Sequence, residues 1–425
     1  MASRSAGTAS ADRTEPDWLK VLRRKGAEAF ASIPLPAEKD KGWEFTDLSS
    51  FDPGAFQPAD GGDVELTPSR KAVVGREDRP GVRQVDRRAD VRGELPGDGV
   101  VVTTLEAAIA EHSELVEPWL GRLVLDRDKF SAQNAATWSG GLFVYVPRGV
   151  RVETPVVASA IQAAGSSHFP WRSLIVVEPE AELTVVEQYL SAESDLEAYF
   201  NPVTELFVGA GARVKFLCAQ DLSERSWILG SQRARVDRDG ALHWVGLGFG
   251  SGQGKLRMET DLQGRGADGR VTGAYVGHGR QHIDYDTTQE HAAPDTTSDL
   301  AFRGILRDKA TAVWSGMIRV DPDAQRTDAF QESRNLLLSD GAHADAVPGL
   351  EIEANDVRCT HAATVARIDE EQLFYARSRG LDRSDAERLL VGGFLGVVSG
   401  RLEDEPFLHD AVSAALEREL ELALA

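Results

Sequence analysis

The sequence predicts a mainly β fold, a β-solenoid core set between N-terminal and C-terminal helical regions. Two observations carry this. From Gly141 onward, short apolar strand segments (LFVYVP, SLIVVEP, LTVVEQYL, TELFVGA, RVKFLCAQ, ALHWVGLGF) follow one another for over 200 residues without a long helical pattern between them. Turn signals also recur just before an alanine, at Ala181, Ala212, Ala241, Ala267, Ala310 and Ala342, with gaps of 26 to 32 residues and one of 43. This is a loose internal repeat of turn, small residue and strand. Each unit is too short to bury a face alone, but stacked units share one core. A sandwich would place its turns every 8 to 12 residues or so. A large jelly roll is the alternative the pattern leaves open.

Taken in order, residues 1–16 are small and polar and read as a disordered tail. Residues 17–138 read as an N-terminal helical region with a loose connector. Asp17 to Ser32 has helical spacing of Trp18, Val21, Leu22 and Phe30, and Pro34 and Pro36 end it. The aromatic stretch KGWEFTDLSSFDPGAF has no core of its own and is expected to cap something. Gln57 to Gly99 is rich in glycine, proline and charge, with one short strand candidate at Lys71 to Val74. Thr104 to Leu120 reads as a second helix, with Thr103 or Thr104 as its cap.

Residues 139–366 form the predicted core. In the C-terminal helical region, 367–425, three helices are expected. Ile368 to Arg379 is one, a second follows Ser384 as N-cap with Glu387 completing a capping box, and Pro406 to Leu424 is amphipathic. Such a tail either covers an end of the solenoid or presents a face to another protein.

The formal charge of −21 over 425 residues argues against a general binder of nucleic acid or anionic membranes, which needs basic patches. Two cysteines, Cys218 and Cys359, make no disulfide framework and fit a reducing cytoplasm. No apolar run reaches the roughly 18 to 20 residues of a membrane span, and Leu389 to Val398 is short and broken by glycines. No secretory signal is read at the N-terminus.

The stretch Pro348 to Leu381 carries the most chemistry. In DVRCTHAAT, Cys359 and His361 share one parity, so on a strand they face the same way, roughly 7 Å apart at the backbone. A thiolate beside an imidazole suits zinc, copper or iron–sulfur chemistry. Two ligands cannot close a tetrahedral site, so others must come from elsewhere in the chain or from a partner. Spacing alone favours the plainer reading of a small buried thiol and a hydrogen-bonded histidine.

Other motifs weigh less. GLGFGSGQGK (246–255) has Phe249 and Leu256 where a phosphate loop needs glycine and a hydroxyl, and Ser251 breaks the dinucleotide spacing. Its glycines fit close backbone approach or a flexible turn. His278 and His282 are four apart without the helix that would align them, and with His291 and His343 they read as surface or hydrogen-bonded histidines. There is no GxSxG nucleophile. Acidic residues do not recur in register as a polymer-cleaving β-helix would require.

Beyond spacing, LLLSDGAHADAVPGLEIEANDVRCTHAATVARIDEEQLFYARSRGL resembles the SufB/SufD family of iron–sulfur cluster assembly scaffolds, most of all its SufD branch. Its LLLS, P-x-LEI, DV-x-C-x-H-x-AT and FY-x-x-SRG elements carry the likeness. WEFTDL (43–48), GGLFVYVPRGVRVETPV (140–156) and HAAPDTTSD (291–299) extend it over about Trp43 to Phe394. The resemblance implies a right-handed parallel β-helix that pairs with a SufB-like subunit. It also implies a C-terminal region that docks a SufC-like ABC-type ATPase, for which Phe374, Tyr375, Arg379, Leu389, Leu390 and Phe394 are the candidates. The SufB branch has a cysteine where this chain has Ala376, and the SufB glutamate has no secure counterpart near Arg401 to Glu405. His361, and less firmly Cys359, match the family's interface ligands. The implied role is that of a non-catalytic scaffold lending part of a ligand set to a transient iron–sulfur cluster or iron. The resemblance leaves room for a reduced flavin in the complex, and nothing is expected to stay bound by this chain alone. A homodimeric scaffold without SufB and a β-helix polysaccharide enzyme are the competing expectations.

Overall fold

In the computed structural model, residues 15–61, 79–93 and 97–424 are described. The tail up to residue 14 and the strand candidate Lys71 to Val74 lie outside them. From Leu142 to Arg367 successive long strands alternate between two sheets, so the chain winds into a parallel β-solenoid of about eight turns. One sheet has ten strands and the other eleven. Most central strands are ten residues long and pair in register along their whole length, as Thr297–Leu306 does with Asp268–Gly277 and Asp328–Leu337.

Alternation divides each strand of the ten-stranded sheet into two apolar faces. One points into the lumen, where Val185, Phe216, Trp244, Tyr275 and Phe302 meet Tyr285 and Trp314 of the opposite sheet. The rings interlock, with Phe216 and Trp244 edge to face at 4.9 Å, so the lumen is filled by side chains. The other face carries Val186, Leu217, Val245, Ala274 and Ile305 and is covered by the C-terminal helices.

The alanine repeat marks the corners, and its irregular gap has a structural cause. Ala181, Ala212 and Ala267 sit at one corner of successive turns, each fully buried and each preceded by a residue with left-handed backbone: Glu180 (φ 64°), Gly211 (φ 68°) and Gly266 (φ 73°). Backbone bonds stack these corners, with Glu180 N–H donating to Ala210 O at 2.9 Å and Gly211 N–H to Arg238 O at 2.8 Å. Ala310 and Ala342 occupy the opposite corner, between Arg307 and His343. The gap of 43 is the place where the series changes sides. Ala241 is one residue out of step: Gly240 holds the small position, and Ala241 already pairs with Arg213 and Asp268 within a strand.

In the N-terminal region, α1 (Asp17–Ser32) lies on the outer face of the eleven-stranded sheet, where Leu19 and Leu22 pack with Trp138, Leu174 and Phe207. The predicted helix over 104–120 is broken. Thr104 caps α2 (Leu105–Glu111) by accepting Ala107 N–H at 3.1 Å. His112 leaves helical geometry (φ −139°, ψ 40°) before the single turn α3 (Ser113–Val116). A further helix, α4 (Lys129–Thr137), was not read from the sequence; Asp128 caps it with a complete capping box. The predicted connector holds a hairpin, Gly81–Val85 with Arg88–Arg92, whose first strand joins the ten-stranded sheet.

The C-terminal helices are α5 (Glu370–Ser378), α6 (Arg383–Gly400) and α7 (Pro406–Leu424). The N-cap of α6 is Asp382, which accepts Asp385 N–H at 2.8 Å, and not Ser384. Glu387 pairs with Arg383 at 2.7 Å, so the predicted capping box does not form. These helices cover the flank of the ten-stranded sheet, with Val391, Leu395, Val412 and Leu416 against its strands. They do not close an end of the solenoid.

Candidate functional site at the open end of the solenoid

The two ends of the solenoid are built differently. At the N-terminal end the sheets finish in short antiparallel strands, Arg88–Arg92 and Val101–Thr103. At the C-terminal end they finish in two ten-residue strands, His343–Ile352 and Arg358–Arg367, each paired on one side only. Their free edges present backbone donors and acceptors. Val347, Leu350, Ile352 and Val365, all exposed, stand along the same strands. Long apolar edges of this kind are normally blunted or covered.

Cys359 and His361 lie on the second of these strands, opposite Ala329 and Gln331. Gln331 reaches across the lumen to Gly316 O and Gly349 O, so its in-register neighbour His361 shares the lumenal face. Cys359 is half-buried beside Ile318, Val320, Ala324, Ala329 and Ala354. Burial first, then the charge of Asp328, raises its thiol pKa above the usual value, so it meets solvent as a thiol. His361 is exposed, and no side-chain hydrogen bond or ion pair holds its ring among the described residues. The structure therefore brings these two together on one strand, at the rim of the open end. Among the described residues no group of three or more His, Cys, Asp or Glu side chains is placed to hold a metal ion.

The other thiol and the other histidines are differently placed. Cys218 is buried in the lumen, its pKa pushed up to about 12 by burial and then by Glu187. His282 is held between Thr311 Oγ1 (2.8 Å) and Thr46 Oγ1 (3.3 Å), and His291 between Thr296 Oγ1 (2.8 Å) and Ser298 Oγ (2.9 Å). Burial holds His291 down to about 4 and lowers His282, so both rings are neutral structural groups. His278 sits in a corner and His282 opens the next strand, so they do not share a strand face. His343 begins a strand and pairs with Asp345 at 3.1 Å. Two glycines of GLGFGSGQGK serve a corner: a Cβ at Gly250 would fall 2.2 Å from Leu222 N, and one at Gly252 would fall 2.1 Å from Glu224 O.

Of the six candidate docking residues, Phe374, Tyr375, Arg379 and Leu389 are exposed on α5 and α6. The Arg379 guanidinium lies over the Tyr375 ring at 5.1 Å. Leu390 and Phe394 are half-buried, Leu390 with Leu373, Ala376 and Ala386, and Phe394 against the flank near Arg303. The candidate docking set left out Val397, which is exposed, and Gly393 and Gly396, which face open space. With Leu389 they form a stripe at i, i+4, i+7 and i+8 along α6, a spacing visible in LVGGFLGVV. Ala376 is buried against α6.

A two-sheet parallel solenoid, finished by short antiparallel strands at one end and by two long free-edged strands at the other, with a thiol and an imidazole on that rim, defines the class of this molecule. The family model "SUF system FeS cluster assembly, SufBD core domain" matches residues 160–394, and "SufBD protein N-terminal region" matches residues 84–157. The chain belongs to the SufBD family of iron–sulfur cluster assembly proteins. It is 33% identical to the iron–sulfur cluster assembly protein SufD of Bacillus subtilis (strain 168) over 420 residues, covering 96% of this chain and 95% of the relative. It is 26% identical over 405 residues to SufB of the same organism, covering 90% and 85%. A SufBD family protein of Staphylococcus saprophyticus shows the same 26% over 405 residues. No described helix is long and apolar enough to cross a membrane.

Proposed function

We propose that this chain is a SufD-type scaffold subunit without catalytic activity of its own, working in the cytoplasm. In this reading a SufB-like subunit adds its strands to the free edges of His343–Ile352 and Arg358–Arg367. His361 and Cys359 then lie at the junction as a partial ligand set, which the partner completes for a nascent iron–sulfur cluster. An incomplete set on each subunit suits a scaffold that must give its cluster up. A SufC-like ATPase docks on the exposed stripe of α5 and α6. The observation that carries the reading is the open end, two long edge strands bearing exposed apolar side chains, with His361 on the second of them.

The test is co-purification with SufB-like and SufC-like subunits. Charges placed on the edge, Leu350→Lys with Val365→Lys, are expected to abolish SufB-like binding and leave ATPase binding intact. Leu389→Glu with Val397→Glu is expected to do the reverse. Undiminished SufB-like binding in the first variant overturns the edge reading. A chain that forms a stable dimer with itself through these strands, and takes no SufB-like partner, would favour the homodimeric scaffold.

A further inference from the structure

One strand inward from His361 and in register with it, Gln331 holds an unpaired acceptor in the lumen. Gln331 is fully buried, and its Nε2 donates to Gly349 O at 3.1 Å and Gly316 O at 3.3 Å. Those two bonds fix the carboxamide across the lumen. Its Oε1 is buried and has no hydrogen-bond partner. Trp314 Nε1 is also buried and without a partner, and the two atoms do not bond each other. An amide oxygen left unpaired costs roughly 1 to 3 kcal/mol, so a donor is expected there.

The next rung is His361, in register with Gln331 and on the same face. In-register side chains of neighbouring strands stand about 4.8 Å apart. This solenoid repeatedly bonds such pairs: His282 Nδ1 with Thr311 Oγ1 at 2.8 Å, Gln188 Nε2 to Ser159 Oγ at 2.9 Å, and Gln289 Nε2 to Thr260 Oγ1 at 3.3 Å. His361 and Gln331 are a histidine donor and an amide acceptor on adjacent rungs, each lacking a partner.

We propose that Gln331 is the positioning residue for His361. The ring nitrogen facing down the lumen gives its N–H to Gln331 Oε1. That bond sets the tautomer and the plane of the imidazole, and it turns the lone pair of the other nitrogen toward the open end. Histidines that bind metals are commonly held in this way through their second nitrogen. The functional meaning rests on the reading of His361 as a ligand, but the proposed hydrogen bond does not require iron.

The experiment uses the full-length chain with ring-15N histidine, at a fixed mildly alkaline pH, without metal. His361→Asn assigns the His361 signals. The ring nitrogen shifts are expected to show one dominant tautomer in the wild type and a mixture in Gln331→Met, which is similar in size but has no amide oxygen. Gln331→Glu keeps an acceptor and is expected to keep the tautomer, with the N–H proton shifted downfield. If Gln331 only ties the two sheets together, Gln331→Met frays strand His343–Ile352 while the His361 tautomer ratio stays that of the wild type, and the proposal falls. Should Gln331→Met not fold, Gln331→Glu decides alone: unchanged ring nitrogen and N–H shifts overturn the proposal. Failure of the ligand reading looks different: His361→Ala then leaves iron loading of the assembled complex unchanged, while the tautomer result stands.

Discussion

Arg172 and Glu205, both fully buried, form an ion pair of 2.7 Å between neighbouring strands of the eleven-stranded sheet. Glu205 also accepts the N–H groups of Gly121, Leu123 and Val124 at 2.8, 2.7 and 3.0 Å. Arg172 donates to Asn134 Oδ1 at 3.0 Å and to Val124 O at 2.5 Å. The pair thus fastens the loop between α3 and α4 to the solenoid. Removing one member strands a buried charge, which typically costs about 3 to 5 kcal/mol. Glu205→Ala is therefore expected to lower the urea midpoint and to raise amide exchange first at Gly121 to Val124. Exchange there at the wild-type rate would show that the loop is held by apolar packing instead.

A second fastening lies under the WEFTDL segment. Thr46 Oγ1 donates to Asp284 Oδ2 at 2.5 Å, and Lys255, itself buried, meets the same oxygen at 2.6 Å. Trp43 sits above, its ring 5.5 Å from Lys255 Nζ. Asp284 Oδ1 already has no partner, so the carboxylate depends on these two donors. Thr46→Val keeps the shape and removes one of them. A loss of roughly 1 to 3 kcal/mol is expected, with faster exchange confined to residues around Trp43 to Phe56. A uniform change over the whole chain would contradict a local anchor.

Burial raises the pKa of Asp261 from 3.8 to about 6, against the opposing pull of Arg233 at 2.8 Å. The sign follows from linkage. The folded state holds this proton more tightly than the unfolded state, so the contribution to stability is greatest below pH 4. It is lost as pH rises from about 4 through about 6. Two units correspond to about 3 kcal/mol at most. Asp261→Asn cannot titrate, so the wild type should lose stability relative to this variant across that interval. Parallel urea midpoints at pH 4, 5, 6 and 7 check it, and a constant difference between the two proteins would refute it.

The solenoid was legible because its corners repeat a demand, one left-handed residue beside a small side chain, that leaves marks such as EA at 180 and GA at 211. That the alanines belong to two opposite corners was not legible, since the pattern repeats in one dimension and the fold has two sides. The strand Gly81–Val85 escaped notice because Arg83 and Gln84 interrupt its apolar run. Gln84 is buried there, its Nε2 donating to Asp86 O at 2.7 Å. α4 hid for a similar reason: Gln133 and Asn134 are buried in it, and Asn134 bonds the carbonyls of Trp171 and Asn201. At the site, the shared parity of Cys359 and His361 could be read from spacing. The open edge and the acceptor one strand inward from His361 could not, because both depend on which strands come to lie beside them.

The two thiols test the placement of the rim directly. Thiol reactivity rises with access and with the thiolate fraction. Cys218 has neither, being 4% exposed with a pKa near 12, whereas Cys359 is only half-buried on an edge strand. The native chain is therefore expected to react with an alkylating reagent at one thiol of two, and at both only after unfolding. Mass spectrometry of the digested protein identifies the modified residue. If the open end is where a SufB-like subunit joins, that subunit should slow alkylation of Cys359 severalfold, whereas occupation of α5 and α6 by an ATPase should leave the rate unchanged. Equal alkylation of Cys359 in the free chain and in a demonstrably assembled pair would place the joint elsewhere on the molecule.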